Sequence, residues 1–271
     1  MQRIKNISIA VGSFSKDALK CYSPFIAILV AFASFRWLIP ELSENIHYTL
    51  MPNFDRLVFG ELPTIKLQHL LWHGHVVWYD YALYGIYASH YILPVILAWV
   101  IYKNYATEYI RFAATYLTAT FTAFLFFIIY PTAPPWLASQ NGYIPHINRI
   151  AESIFSSIGV HNFGSLYSSY VPNPIATLPS LHTTYAILFV LFIYRIFGKR
   201  WAAISLVYPV CIIFGVIYMG EHYAFDVIAG VGVAVASYAV TPLLIRYLSP
   251  RLYRLASKTP LAIMFENDLN E

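Results

Sequence analysis

Charge is scarce in this chain: 17 Lys and Arg with 13 Asp and Glu make up 11% of its 271 residues. An ordinary soluble domain carries roughly 25%. That deficit excludes a soluble globular domain, and a 59% hydrophobic composition with mean hydropathy +0.58 assigns the chain to the membrane. Cysteine is nearly absent as well. Cys21 and Cys211 both fall in apolar segments, so no disulfide framework is expected. Internal repeats and low-complexity tracts are missing. The basic N-terminus lacks the short apolar core and small-residue cleavage site of a removable signal peptide. Aromatics are plentiful at 18%, as interfacial belts and loops require.

A membrane span needs about 20 mostly apolar residues. Six segments qualify, at roughly 21–40, 79–102, 109–130, 181–197, 201–219 and 223–246. The predicted fold class is therefore all-α, a polytopic membrane protein of six transmembrane helices forming one unit over 1–271. Basic residues set its orientation. Thirteen (Arg3, Lys5, Lys16, Lys20, Lys103, Arg111, Arg195, Lys199, Arg200, Arg246, Arg251, Arg254, Lys258) fall on one side and three (Arg56, Lys66, Arg149) on the other, with Arg36 near the end of the first span. Both termini are thus expected in the cytoplasm, and the stretches 41–78 and 131–180 on the extracytoplasmic or lumenal face. These two stretches are apolar enough to lie in the interface as short amphipathic helices over the bundle mouth.

Chemistry concentrates in Pro179-Ser180-Leu181-His182 and Gly220-Glu221-His222-Tyr223-Ala224-Phe225-Asp226. His222 and Asp226 stand four apart, so a helix puts them on one face and lets the carboxylate orient the imidazole. Asp226 lies inside an apolar span, where an ionisable side chain costs about 2.5–3.5 kcal/mol at the bilayer centre and so marks a partner and a purpose. Phosphoryl transfer through an enzyme-bound intermediate needs a nucleophile, an acid for the leaving group and positive charge or dipoles around phosphate. His222 with Asp226 fits the first need and His182 the second. Helix starts at Ser180 and near Glu221 would turn backbone N–H groups toward an anion. Glu221 itself either tunes His222 or faces solvent at its turn, and solvent is the preferred reading.

These two motifs, with Val227-Ile228-Ala229-Gly230 continuing the second, resemble the histidine motifs of the type 2 phosphatidic acid phosphatase superfamily. More narrowly they are similar to its inositol phosphorylceramide synthase-like branch. That branch also has a Pro-x-x-Pro-Pro-Trp turn, matched by Pro131 to Trp136, a Phe-Gly-x-x-Pro segment, matched by Phe59 to Pro63, and a His-aromatic-x-x-Pro, matched by His90 to Pro94. The resemblance implies a catalytic core of about 55–232, working through a phosphohistidine with no metal and no cofactor. It makes His222 the nucleophile, Asp226 its orienting partner and His182 the general acid and base. Two departures stand out. The superfamily's phosphatases carry a Lys-x6-Arg-Pro motif before the first histidine motif, and nothing here matches it. They also carry Ser-Arg shortly before the nucleophilic His, where this chain has Gly215-Val216. Phosphate-holding cations must come from elsewhere, and Lys66 and Arg149 are the first choices, with Ser180 and His90 as further substrate contacts.

Three function classes follow. One is a phosphotransferase moving a headgroup such as phosphoinositol between lipids. The second is a phosphatase of polyprenyl (pyro)phosphate or phosphatidate using water, and the third a six-span transporter or scaffold without enzymatic activity. The expected partners are a lipid phosphate or phospholipid substrate and the membrane itself, with no nucleic acid. The narrower resemblance favours headgroup transfer. His69, His73 and His75 offer a competing zinc cluster by spacing, although no HExxH accompanies them; interfacial packing is the preferred reading of all three.

Overall fold

The computed structural model describes residues 2–35, 46–161 and 175–256. Regular structure among the described residues is helical, with isolated bridges joining His47, Thr132 and Ala176. The helices are α1 (Gln2–Phe35), α2 (Leu50–Phe59), α3 (Pro63–Leu71), α4 (Trp78–Ala88), α5 (Leu93–Asn104), α6 (Ala106–Ile129), α7 (Pro135–Gln140) and α8 (Ile150–Ser157). They are followed by α9 (Leu181–Phe197), α10 (Lys199–Ser205), α11 (Val207–Tyr218) and α12 (Ala224–Ala256). Proline places several of these boundaries, because it lacks the N–H that a helix interior needs and suits a first turn. Pro63, Pro94 and Pro135 each stand in the opening turn of their helix.

Ala106–Ile129, Lys199–Tyr218 and Ala224–Leu248 are each long and apolar enough to cross a membrane. α4 and α5 make a fourth such segment only when joined, because a 3-10 turn at Ser89–Tyr91 bends the pair by 43°. The single span expected over 79–102 is thus broken, and Pro94, which offers no N–H to the carbonyl four residues before it, accounts for the position of the break. His90 sits in the turn. The 181–197 segment is a 17-residue helix, shorter than those three and apolar. The segment expected at 21–40 begins within α1, while its end, with Arg36, lies outside the described residues. These helices make the chain an integral membrane protein.

The core sits where α12 packs against α9 and α6. Phe112, Tyr116 and Ala119 of α6, Leu188 and Phe192 of α9, and Val233 and Ala234 of α12 are buried together. At one end of this bundle the two long connecting stretches share a second cluster: Met51 and Leu62 from the first, Ala133, Ala138, Ile144 and Leu178 from the second, with Tyr223 of the histidine motif. The connections therefore close over the end of the bundle where α9 and α12 begin.

One long-range cap fixes this closure. Asp55 of α2 is 1% exposed and accepts hydrogen bonds from the backbone N–H of Ala224 (2.9 Å) and Phe225 (3.0 Å). Both N–H groups belong to the first turn of α12, which has no partners of its own for them. Burial dominates the Asp55 carboxyl and holds it up at about 6 against the two N–H bonds, and the nearby Asp226 charge adds to the rise. A folded-state value raised above the ordinary 3.8 means that this group's stabilising contribution is complete below about pH 3.8 and is lost as pH rises through about 6. The wild type minus Asp55→Asn difference in thermal midpoint, read by tryptophan fluorescence in detergent, should accordingly fall as pH rises from about 4 to 6. A difference that stays constant over that window would refute the assignment.

Candidate active site

Helix capping and one glycine bring the two histidine motifs together. Ser180 caps α9: its hydroxyl oxygen accepts from the Thr183 backbone N–H at 3.3 Å and from the Thr183 hydroxyl at 3.2 Å. Its own N–H donates to the Asp226 carbonyl at 3.0 Å, which ties the start of α9 directly to the first turn of α12. Ser180 is fully buried, so the structure gives it a capping place rather than an open face toward a ligand. Gly230, one turn beyond Asp226, lets the two helices approach. A Cβ there would stand 2.6 Å from the Ser180 carbonyl oxygen. The Thr184 hydroxyl meanwhile donates to the Gly230 carbonyl at 2.9 Å.

This contact brings His182 Nδ1 to 3.0 Å from His222 Nε2. Behind His222, its Nδ1 lies 3.5 Å from Asp226 Oδ2, a long contact between two buried side chains. Asp226 Oδ2 also accepts from the Tyr223 N–H at 3.0 Å. We assign the tautomers from this network. An ionised Asp226 keeps the proton on His222 Nδ1, so His222 Nε2 carries a lone pair and accepts from His182 Nδ1–H. Among the described residues His222 Nδ1, His182 Nε2 and Asp226 Oδ1 are buried without a hydrogen-bond partner, the His222–Asp226 contact being too long to count as one. The N–H groups expected to face an anion at the start of α12 are already taken, by Asp226 at Tyr223 and by Asp55 at Ala224 and Phe225.

His90 joins the cluster from the bend in the α4–α5 segment. Its Nδ1 lies 2.6 Å from the Tyr87 carbonyl, to which it donates. Its ring meets that of His182 edge-on with centroids 4.1 Å apart. Tyr87 stacks on the His182 ring with centroids 4.5 Å apart at an interplanar angle of 22°. His182 thereby packs against both an aromatic face and a second imidazole.

The two cations named from the sequence part company. Lys66 is exposed and lies 3.7 Å from Glu61. Arg149 is the only Lys or Arg in the buried class among the described residues. Its Nε donates to Glu221 Oε1 at 3.1 Å, and its guanidinium lies 3.9 Å from the centre of the Trp136 ring. Glu221, expected to face solvent at its turn, is instead buried at 6% exposure beside His222. Trp136 of the Pro-Pro-Trp turn donates its backbone N–H to the Gly220 carbonyl at 3.1 Å. Gln68 clamps the same corner, donating to the Asn148 and Tyr218 carbonyls at 2.7 and 2.9 Å and accepting from the Asn148 N–H at 2.8 Å. Gly220 takes φ +77°, the left-handed region, with Ile147 and Asn148 close by.

His69, His73 and His75 are exposed. No group of three or more His, Cys, Asp or Glu among the described residues is placed to share a metal ion. The zinc reading of these three therefore has no supporting geometry. Asp55 and Gln68 were not singled out by sequence reasoning. A buried acid in an apolar helix, Asp55 within Leu50–Phe59, was the available signal for the first of them.

The fold and site together define a helical membrane protein built around a buried His–His–Asp cluster, with an arginine ion-paired to Glu221, the residue preceding His222. The chain belongs to the PAP2 superfamily, whose family profile matches residues 60–240. It is 34% identical over 155 residues to a protein of Bacteroides thetaiotaomicron named phosphoinositol dihydroceramide synthase. The alignment covers 54% of this chain and 50% of that one, so the chain spans about half the length of the curated relative it matches. No solved structure matches.

Proposed function

We propose that this protein transfers a phosphoryl-alcohol headgroup, of the phosphoinositol type, from a phospholipid to the hydroxyl of a second lipid through a phosphohistidine. The observation that carries the reading is the 3.0 Å contact between His182 Nδ1 and His222 Nε2 with Asp226 behind the second ring. Phosphate enters between the two imidazoles. His222 Nε2 attacks phosphorus while the bond from phosphorus to the diacylglycerol oxygen breaks; His182 enters this step as an imidazolium, protonated on both ring nitrogens, gives its Nδ1 proton to that oxygen and is left neutral. In the return step His182 Nδ1 takes the proton of the acceptor hydroxyl. The acceptor oxygen attacks phosphorus, the phosphorus–nitrogen bond breaks, and His222 is restored. Asp226 fixes the His222 tautomer and stabilises the cationic imidazole. The long 3.5 Å contact suits a resting enzyme whose catalytic hydrogen bonds tighten on binding.

Arg149 is the phosphate-holding cation in this reading, supported by its burial and its ion pair to the residue preceding His222. His90 positions His182. Six spans follow from the six apolar segments, and cytoplasmic termini with an extracytoplasmic or lumenal site from the thirteen-to-three bias of basic residues. The short helices α2, α3, α7 and α8 then lie at that surface, and residues 55–232 form the catalytic core within a single unit. No metal ion takes part.

The test is purified protein with headgroup-labelled phospholipids, with and without a ceramide-type acceptor, in the presence of a chelator. Labelled acceptor lipid, formed at an undiminished rate in chelator, is the expected product. Release of water-soluble headgroup alone would reassign the enzyme as a hydrolase. Loss of turnover in chelator, restored by zinc, would overturn the metal-free mechanism, and no turnover of any lipid would favour the transporter class.

A further inference from the structure

We propose that Glu221, through its buried ion pair with Arg149, sets the charge class of the substrate and restricts the site to phosphodiesters; this rests on the phosphotransfer reading above. The argument begins with the number of charges available. Arg149 is the one buried cation among the described residues, and Glu221 already neutralises it at 3.1 Å. Asp226 adds a second buried carboxylate one helical turn beyond His222. Lys66 is exposed and engaged with Glu61, and Arg56 is exposed. At rest, with both imidazoles neutral, these described buried groups carry one net negative charge, and the His182 proton taken up for catalysis only balances it before the ligand's own charge is counted.

A phosphodiester brings one negative charge, which a guanidinium with five N–H donors can hold while keeping a carboxylate on one edge. A phosphomonoester carries about −1.5 to −2 at pH 7. Among the described residues its second charge has no further buried cation to meet, while Glu221 and Asp226 flank His222 as carboxylates, and low dielectric strengthens repulsion there. The position of the pair makes Glu221 a selective element rather than a generic anion. Trp136 covers one face of the guanidinium, so Arg149 cannot swing to that side, and the Nε edge is fixed on Glu221. The Gln68 clamp on Asn148 and Tyr218 holds the chain on either side of the pair. The missing phosphatase cations thus have a counterpart: a built-in anion where a phosphomonoesterase would have wanted a further cation.

Phosphatidylinositol and phosphatidate with the same acyl chains give the direct comparison, with diacylglycerol release as the common readout. The wild type should favour the diester by at least tenfold in kcat/KM. Glu221→Gln, which keeps shape and a hydrogen-bonding oxygen for Arg149, should narrow that ratio at least tenfold, mainly through a lower KM for phosphatidate. Glu221→Asp, which keeps the charge, should retain the preference. An unchanged ratio in Glu221→Gln, with both activities lowered together, would assign Glu221 a purely structural place and overturn the proposal. Equal use of both lipids by the wild type would overturn it without any variant, whether or not Glu221→Gln folds, and would leave the phosphotransfer reading standing. Inactivity of the wild type toward both would sink that reading and this one with it.

Discussion

His222→Asn should reduce turnover at least a thousandfold while leaving the protein folded, and it should form no acid-labile phosphoenzyme. Asn is the informative replacement, because its side-chain N–H stands where His222 Nδ1–H stands and keeps a donor near the buried Asp226 carboxylate. Alanine would leave that carboxylate without a side-chain partner and mix a folding defect with the chemical one. His182→Asn should cost less, about 10²–10⁴-fold, the range of a lost general acid and base. A phosphodiester with a nitrophenol leaving group separates the two roles. Nitrophenolate departs without a proton, so its release in the first half-reaction should be largely restored in His182→Asn and not in His222→Asn. Rapid-quench measurement of the nitrophenolate burst reads this directly. Equal recovery of both variants would rule out the assignment of nucleophile and acid.

Gly230→Ala should lower kcat about a hundredfold with little loss of expression. A Cβ at this position meets the Ser180 carbonyl oxygen at 2.6 Å and the Thr183 Cβ at 3.2 Å. The first of these is backbone and cannot turn aside, so the start of α9 must move away from α12. That movement separates His182 from His222, and a misplacement on the order of 1 Å is worth about 10²-fold in rate. Gly232→Ala is the matched control, since a Cβ there meets nothing within 4 Å and its effect should be slight. Turnover of both variants against wild type in the same detergent decides the matter; a full-rate Gly230→Ala would show that the α9–α12 contact does not set the histidine geometry.

The histidine pair was legible in the sequence because each half is local. Ser180 before an apolar run reads as a cap, and His222 with Asp226 reads as one helical face. The membrane class followed from the charge deficit and high hydropathy, and the all-α class from the lengths of the apolar segments. What escaped depends on contacts far apart in the chain. Asp55 meets Ala224 and Phe225 across about 170 residues, and Arg149 meets Glu221 across 72. No periodicity announces such pairs. Glu221 was assigned to solvent because it sits at a turn, and its turn turned out to be roofed by Trp136, Ile147 and Asn148. The bend at His90 was readable in principle, since Pro94 interrupts the apolar run four residues later. Lys66 and Arg149 were indistinguishable as loop cations, and only burial separates them.

The 17 residues of α9 span about 26 Å at 1.5 Å per residue, less than the roughly 30 Å of a typical hydrocarbon layer. On the proposed orientation, with Arg195, Lys199 and Arg200 among the far headgroups, we infer that His182 lies a few ångströms inside the apolar boundary. Local thinning of the bilayer then brings a phosphate to the imidazoles while its chains stay among their neighbours. Membrane thickness thus becomes a variable of the reaction: thicker bilayers, which resist that thinning, slow the enzyme through the mechanics of the lipid sheet alone.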